Sequence, residues 1–236
     1  AQGCDLSMRR GYYFVPKYVF GKPADTMGGA IKLPMWLKRP IDQMILKWFT
    51  GDPQKYGFPK PDYALYESHP VVNSLILFHA GHGDLEVRPD IDHIDGKTVH
   101  FADGSQAEYD MILTATGYLL HYPFIDKEQL NWQGAAPHLY LNCMHPDRDD
   151  LFVLGMVEAS GLGWQGRADQ AEMVALYLAN LQSSAAKELR NRKRAGFERA
   201  TGGMDYVDLP RMAYYVDKRT YLRDLHKEIR ALERAG

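Results

Sequence analysis

Three groups of residues in this chain have types and spacings suited to holding a nucleotide-like ligand. The first is Arg9-Arg10, which follows a short strand pattern. In a nucleotide-binding βαβ unit the end of the second strand meets the adenine ribose, and an arginine there accommodates the 2′-phosphate of NADP. A solvated turn is the plain alternative. The second group is Asp110-Met-Ile-Leu-Thr-Ala-Thr-Gly-Tyr118. Its apolar run, Met111 to Leu113, is too short for a helix, and Gly117 favours a buried strand ending in a tight turn. Glycine at that point lets the backbone approach a ligand closely, although an ordinary strand terminus reads the same way. The third group is Leu151-Phe-Val-Leu-Gly155-Met, then Gly161-Leu-Gly-Trp164 and a helical stretch carrying Gln170. A buried strand, a glycine-rich turn and a helix N-terminus make a site for an anion or an electron-rich carbonyl, because free N–H groups and the helix dipole point at it. A plain strand–loop–helix crossover remains the alternative.

Other chemistries find less support. Among the nine histidines, His79 and His82 stand three apart and Cys143 and His145 two apart, but neither pair has a second half, so no metal site is expected. Neither a Gly-x-Ser-x-Gly elbow nor a Gly-x-x-x-x-Gly-Lys loop occurs. The 236 residues carry a formal net charge of -2, which suits one large domain or two lobes. That balance gives no footprint for nucleic acid or an anionic membrane. The one basic run, Arg190-Asn-Arg-Lys-Arg194, reads as a solvated helix face. Cys4 and Cys143 form no redox motif, and a reducing cytoplasm fits them. No apolar run approaches the ~20 residues of a membrane span, and no signal peptide opens the chain. The sequence starts at Ala1 without a methionine, in what reads as the end of a helix, so it is expected to begin inside a domain.

The elements that must position these groups follow from periodicity and breakers. Residues 3 to 8 read as a strand, and the aromatic stretch Tyr12 to Phe20 as extended or loop. Asp25 to Phe49 has helical spacing interrupted by Pro34 and Pro40, which predicts two or three short helices. Prolines at 53, 59 and 61 mark a surface connection. A helix over Asn73 to Ala80 closes at Gly81 and Gly83. Short strands follow at Leu85–Val87, Asp90–Ile94 and Lys97–Phe101, with Asp95-Gly96 as a hairpin turn. Further strands are expected at Leu139–Leu141 and Leu151–Leu154. Helices are expected from Arg167 to about Leu181, from Ser184 to Arg194 with Ser183 as N-cap, and from Thr220 to Arg234.

Taken in order, Ser7 to Lys17, Glu67 to Ser74, Phe101 to Ser105, Asp110 to Tyr118 and Leu151 to Gln170 resemble the C-terminal half of flavin-containing monooxygenases, which use FAD and NADPH. The resemblance runs over nearly the whole chain. It implies an α/β fold, part of a two-dinucleotide-binding-domain flavoprotein: an incomplete NADPH lobe over 1–114 with a helical insertion, a returning FAD-lobe segment over 115–183, and a C-terminal helical extension over 184–236. Arg9, and with it Arg10, resembles the reader of the NADPH 2′-phosphate. Thr116 and Gly117 resemble backbone neighbours of the cofactors. Gly155, Gly161 and Gln170 resemble the flavin-proximal strand end, loop and helix, with Trp164 facing substrate or nicotinamide. The implied reaction passes one oxygen atom from a C4a-hydroperoxyflavin, formed from O2, to a small nitrogen or sulfur nucleophile, and a homodimer is compatible with it. Baeyer–Villiger oxidation of ketones and a non-catalytic truncated remnant are the alternatives. The glycine loops for both pyrophosphates are not in this sequence and are expected upstream of Ala1, so the chain as given is expected to be inactive alone.

Overall fold

Sequence-distant strands, rather than hairpins alone, organise the first part of the chain. The computed structural model describes residues 3–24 and 33–235. It divides into two units, one through Gly117 and one from Tyr118 onward. The first unit contains β1 (Asp5–Ser7), β2 (Phe14–Val15), β3 (Tyr18–Val19), β4 (Lys22–Pro23), α1 (Met35–Thr50), β5 (Val71–Val72), α2 (Ile76–His82), β6 (Glu86–Arg88), β7 (Ile91–Asp95), β8 (Thr98–Phe101) and β9 (Gln106–Glu108). Strand β1 runs parallel to β6, with Leu6 opposite Val87, and β2 runs parallel to β5. The mixture of helices with parallel and antiparallel strands is that of an α/β protein.

The Asp95-Gly96 turn joins β7 to β8 as an antiparallel pair, and Gly96 takes the positive φ such a turn needs. Strand β9, which periodicity did not single out, adds to the other edge of β8. Val99 and Phe101 alternate inward from β8 and are buried. Helix α1 runs through Pro40 without ending there, contrary to the expected break. Proline removes one helical hydrogen bond and crowds the preceding turn at a cost of about 3 kcal/mol. Side chains on both sides of Pro40 offset this: Lys38 and Asp42 engage Tyr66, Arg39 bonds Glu67 at 2.9 Å, and Gln43 reaches Tyr13 at 3.2 Å. The expected helical stretch at 25–32 lies outside the described residues.

Met111 to Leu113 does not form the expected strand. A strand needs a neighbour for its N–H and C=O groups, and none pairs with this segment among the described residues. Met111 and Leu113 stay exposed. Leu139–Leu141 and Leu151–Leu154 are likewise not strands. Single bridges, Tyr140 to Met144 and Met144 to Phe152, replace ladders there, because Leu141 and Asn142 turn the chain with left-handed φ of 48° and 56°.

The second unit holds β10 (Trp132–Gln133), β11 (Ala136–Pro137), α3 (Gly163–Ala179), α4 (Ser184–Arg194) and α5 (Lys218–Glu233). Ser183 Oγ accepts the Ala186 N–H at 3.1 Å and Asp217 Oδ1 the Thr220 N–H at 2.8 Å, so α4 and α5 start at capped ends. Tyr221, Leu225, Ile229 and Leu232 line one face of α5 and pack with Met173, Val174 and Tyr177 of α3. Each fully buried side chain of this kind contributes about 1.5–3 kcal/mol.

The basic run on α4 is not a solvated face. Lys193 is fully buried, with Nζ donating to the carbonyls of His145, Pro146 and Arg148 at 2.7–3.0 Å and lying 2.8 Å from Asp149. Arg192 forks onto buried Glu228. These partners come from elsewhere in the chain, so the local charge pattern misled. No helix among the described residues is long and apolar enough to cross a membrane.

Candidate functional site

The centre of the site is the segment Gly155-Met-Val157, in which three successive residues are each held by a different side chain. Gly155 has φ of 86°, a backbone conformation that favours glycine, and a Cβ added there would meet open space. Its N–H donates to Gln170 Oε1 at 2.9 Å. The Met156 carbonyl accepts from Asn142 Nδ2 at 3.2 Å, and the Val157 carbonyl from Arg167 Nη2 at 3.0 Å. The Val157 N–H in turn donates to the Gly155 carbonyl at 2.9 Å, closing a tight turn around Met156.

Each anchor is itself braced. Gln170 is completely buried on α3, and its Nε2 donates to the Leu141 carbonyl at 3.1 Å and to Tyr221 Oη at 2.7 Å. Only this orientation of the amide serves the Gly155 donor and the Leu141 acceptor together. Tyr221 Oη donates to the same carbonyl at 3.0 Å, and burial holds its proton on above the usual tyrosine range. Asn142 uses its left-handed backbone to reach the Tyr214 carbonyl at 3.0 Å as well as Met156. Arg167 also donates to the Gly163 carbonyl and pairs with Glu158 at 3.1 Å. Deeper on α3, buried Asp169 accepts from Gln165 and lies 2.7 Å from His226 Nε2.

A recess of about 450 Å³ opens above this turn, lined by Leu120, Tyr122, Leu154, Gly155 to Glu158, Trp164, Arg167 and Tyr214. Helix α3 starts nearby. Its first turn carries no acidic residue and Leu162 provides no side-chain cap, so its leading N–H groups remain available. Gly161 and Gly163 take positive φ on the approach, and the Gly161 carbonyl is held by Lys218 Nζ. Trp164 is 85% exposed and lies under the Arg167 guanidinium at 5.7 Å. An open, mostly apolar wall beside a fixed backbone turn and an uncapped helix start fits a flat ring system with electron-rich carbonyls.

The eight residues read from sequence therefore separate into two sets. Gly155 and Trp164 line the recess, buried Gln170 is bonded to Gly155 without lining it, and Gly161 lies on the adjoining loop. In the first unit, Arg9 is exposed just beyond β1. Arg10 is instead held by Asp62 at 2.9–3.0 Å. Gly11 between them and the 59–61 loop admits no side chain, since a Cβ would lie 2.2 Å from the Pro59 carbonyl oxygen. Thr116 and Gly117 are exposed, and Gly117 has the turn-forming φ of 83°. Asn142, Arg167 and Tyr221 were not foreseen. For Asn142 the signal was present, because asparagine tolerates left-handed backbone. The other two act through partners distant in sequence.

Comparison with known proteins adds the following. The profile of the flavin-binding monooxygenase-like family matches residues 6–212. A probable indole-3-pyruvate monooxygenase of Arabidopsis thaliana is 24% identical over 82% of this chain, and the match takes in 48% of that protein. A trimethylamine monooxygenase of Methylocella silvestris is 40% identical over 30% of the chain and 16% of its own length. An N-oxide-forming dimethylaniline monooxygenase of Pan troglodytes is 26% identical over 53% of the chain and 23% of its own length. The chain thus spans about half or less of the length of these curated relatives.

Proposed function

Because this chain belongs to the flavin-binding monooxygenase-like family, we propose that it serves an NADPH- and FAD-dependent monooxygenase that places one oxygen atom of O2 on a small nitrogen or sulfur nucleophile. The observation that carries the reading is the triple pinning of Gly155, Met156 and Val157 beside the uncapped start of α3. Two of the similar proteins are named for amines, which favours nitrogen.

In this reading FAD and NADPH supply the redox and oxygen chemistry when bound, and the chain positions them and keeps water out. Gly155 would let the backbone come close to a bound flavin, and the leading N–H groups of α3 would favour its electron-rich carbonyls. Gly161 sets the loop between them. Trp164 covers the open side toward substrate or nicotinamide, and Gln170 positions Gly155 without touching a ligand. Arg9 is the better reader of the NADPH 2′-phosphate, since Arg10 already serves Asp62. Thr116 and Gly117 form the backbone return between the two lobes. Residues 1–114 then belong to the NADPH lobe, 115–183 to the FAD lobe and 184–236 to a helical extension.

The test is product analysis on this chain joined to the N-terminal portion of a flavin-binding monooxygenase-like relative, with NADPH, FAD and O2 present and trimethylamine, a thioether or a cyclic ketone as acceptor. An N-oxide or S-oxide is expected. A lactone would replace this reading with Baeyer–Villiger chemistry. No oxygenated product from any of the three would favour a non-catalytic protein.

A further inference from the structure

A second cavity in the C-terminal unit shares no lining residue with the recess above Gly155. It encloses about 230 Å³, bounded by residues 137–142, 197–200 and the side chains of Arg192 and α5. Drug-sized ligands occupy sites of about 300 Å³ and more, so this one suits a smaller molecule.

Its charged groups are not all answered within the fold. Glu228 is buried and fully served, accepting from Tyr140 Oη at 2.8 Å and from Arg192 Nε and Nη2 at 2.9 and 2.6 Å. Asp224 has Arg223 at 2.8–3.1 Å. Arg199 is different. It is half-buried, and its Nη1 donates to the carbonyls of Met212 and Ala213, at 2.6 Å for the first. Among the described residues no carboxylate lies within ion-pair distance of it. Its Nε–Nη2 edge, the one Arg192 turns to Glu228, makes no hydrogen bond among the described residues. Burial accordingly lowers the proton affinity of Arg199 below the usual arginine value, with Tyr206 opposing the shift. The guanidinium also lies over the Tyr206 ring at 5.9 Å, but partial burial of a cation without an anion still carries a cost, which is recovered when one arrives. On the rim stand Lys227 and Glu198, both exposed, so the lining balances in charge while Arg199 is left as the guanidinium without a carboxylate of its own, Asp224 being answered by Arg223 from outside the lining. Phe197 stacks on His138 at 4.6 Å and 12° and gives the cavity a flat apolar wall, while burial and then Arg199 lower the proton affinity of the imidazole.

We propose that this cavity binds a small planar monocarboxylate, with the carboxylate on the Nε–Nη2 edge of Arg199 and the apolar body against Phe197. The bidentate fork sets the preference for a carboxylate, and the one guanidinium edge without a partner, in a lining that otherwise balances, sets the preference for a monoanion. Nothing in the proposal depends on the oxygenation chemistry, so it stands or fails separately from it.

The experiment is calorimetric titration of the full chain with benzoate, acetate and inorganic phosphate. Benzoate is expected to bind, with acetate weaker for want of an apolar body and phosphate weaker for its charge and shape. Arg199→Gln should lower benzoate affinity by about tenfold or more, the size expected for a charge-assisted bidentate pair. Since Arg199 also holds two carbonyls, Phe197→Ala serves as a second variant that leaves those bonds intact. It should weaken benzoate while sparing the weaker acetate. Absence of benzoate binding would overturn the proposal. So would equal affinity for all three anions, or unchanged benzoate affinity in either folded variant.

Discussion

Gly117 and Gly155 close two segments of similar sequence, each an apolar run ending in a glycine. Both glycines take nearly the same backbone, with φ of 83° and 86°. Their surroundings differ. Leu113 and Tyr118, around Gly117, are 87% and 99% exposed, whereas Met156 and Val157, after Gly155, are buried. The difference lies in the anchors: Gln170, Asn142 and Arg167 hold the second segment. The first is held only at its start, by Tyr109, whose hydroxyl donates to Asp5 and whose N–H donates to the Lys97 carbonyl, and by exposed Asp110, which accepts from Lys97 Nζ at 2.8 Å. Local sequence thus specifies the turn, and partners brought from afar specify whether that turn becomes a rigid platform.

The comparison can be broken by removing what supports the anchors. Leu225→Ala should have the largest effect, about 2–5 kcal/mol of stability by urea unfolding followed by helical circular dichroism. Leu225 is fully buried one turn from Tyr221, so its loss also loosens the brace on Gln170. A variant as stable as the parent would mean that this core does not hold the platform.

Gln170→Leu comes next. It strands the Gly155 N–H and removes one of the two donors to the Leu141 carbonyl, at about 2 kcal/mol, and should make the Gly155 amide exchange hydrogen as fast as the Gly117 amide does in the parent. Continued protection of Gly155 in this variant would show that Gln170 is dispensable.

Asp5→Asn tests the other segment, at about 1 kcal/mol. Burial opposes ionisation of Asp5, but hydrogen bonds from Tyr109 and Arg88 hold its carboxyl below the ordinary 3.8. Its contribution is therefore complete above pH 3.8 and is lost as the pH falls through the lower folded-state value. Burial and then Asp5 push Tyr109 up from 10.0 to about 12, so that contribution is present below pH 10 and fades as the pH rises through 12. The variant should flatten both limbs of the stability–pH curve. Unchanged limbs would exclude the cluster.

Trp164→Ala should change stability least, within about 0.5 kcal/mol, because the side chain is 85% exposed. Its effect should fall on flavin or substrate binding instead, measured as a weaker response to FAD. A large loss of stability would make Trp164 a packing residue.

Features decided within a few residues were legible in the sequence: the Ser183 cap and the bounds of α4, the Asp95-Gly96 hairpin, and a turn at Gly117. Features decided by distant partners were not. Met111 to Leu113 has strand composition but no neighbour to pair with among the described residues. Lys193 sits in a run that looks solvated, and only carbonyls 45 to 48 residues away bury it. The Gln170–Tyr221 contact spans 51 residues, beyond any local periodicity. At the site, the glycines announced where the backbone could turn, while the side chains that fix those turns were hidden.

The most direct test of the platform is an amide NMR titration of the isotope-labelled chain with FAD in excess, which reads weak binding residue by residue. The account predicts shifts concentrated at Gly155, Gly161, Gly163 and Trp164, and lost in Gln170→Leu. FAD-induced shifts that bypass these four amides, or no shifts at all, would contradict it.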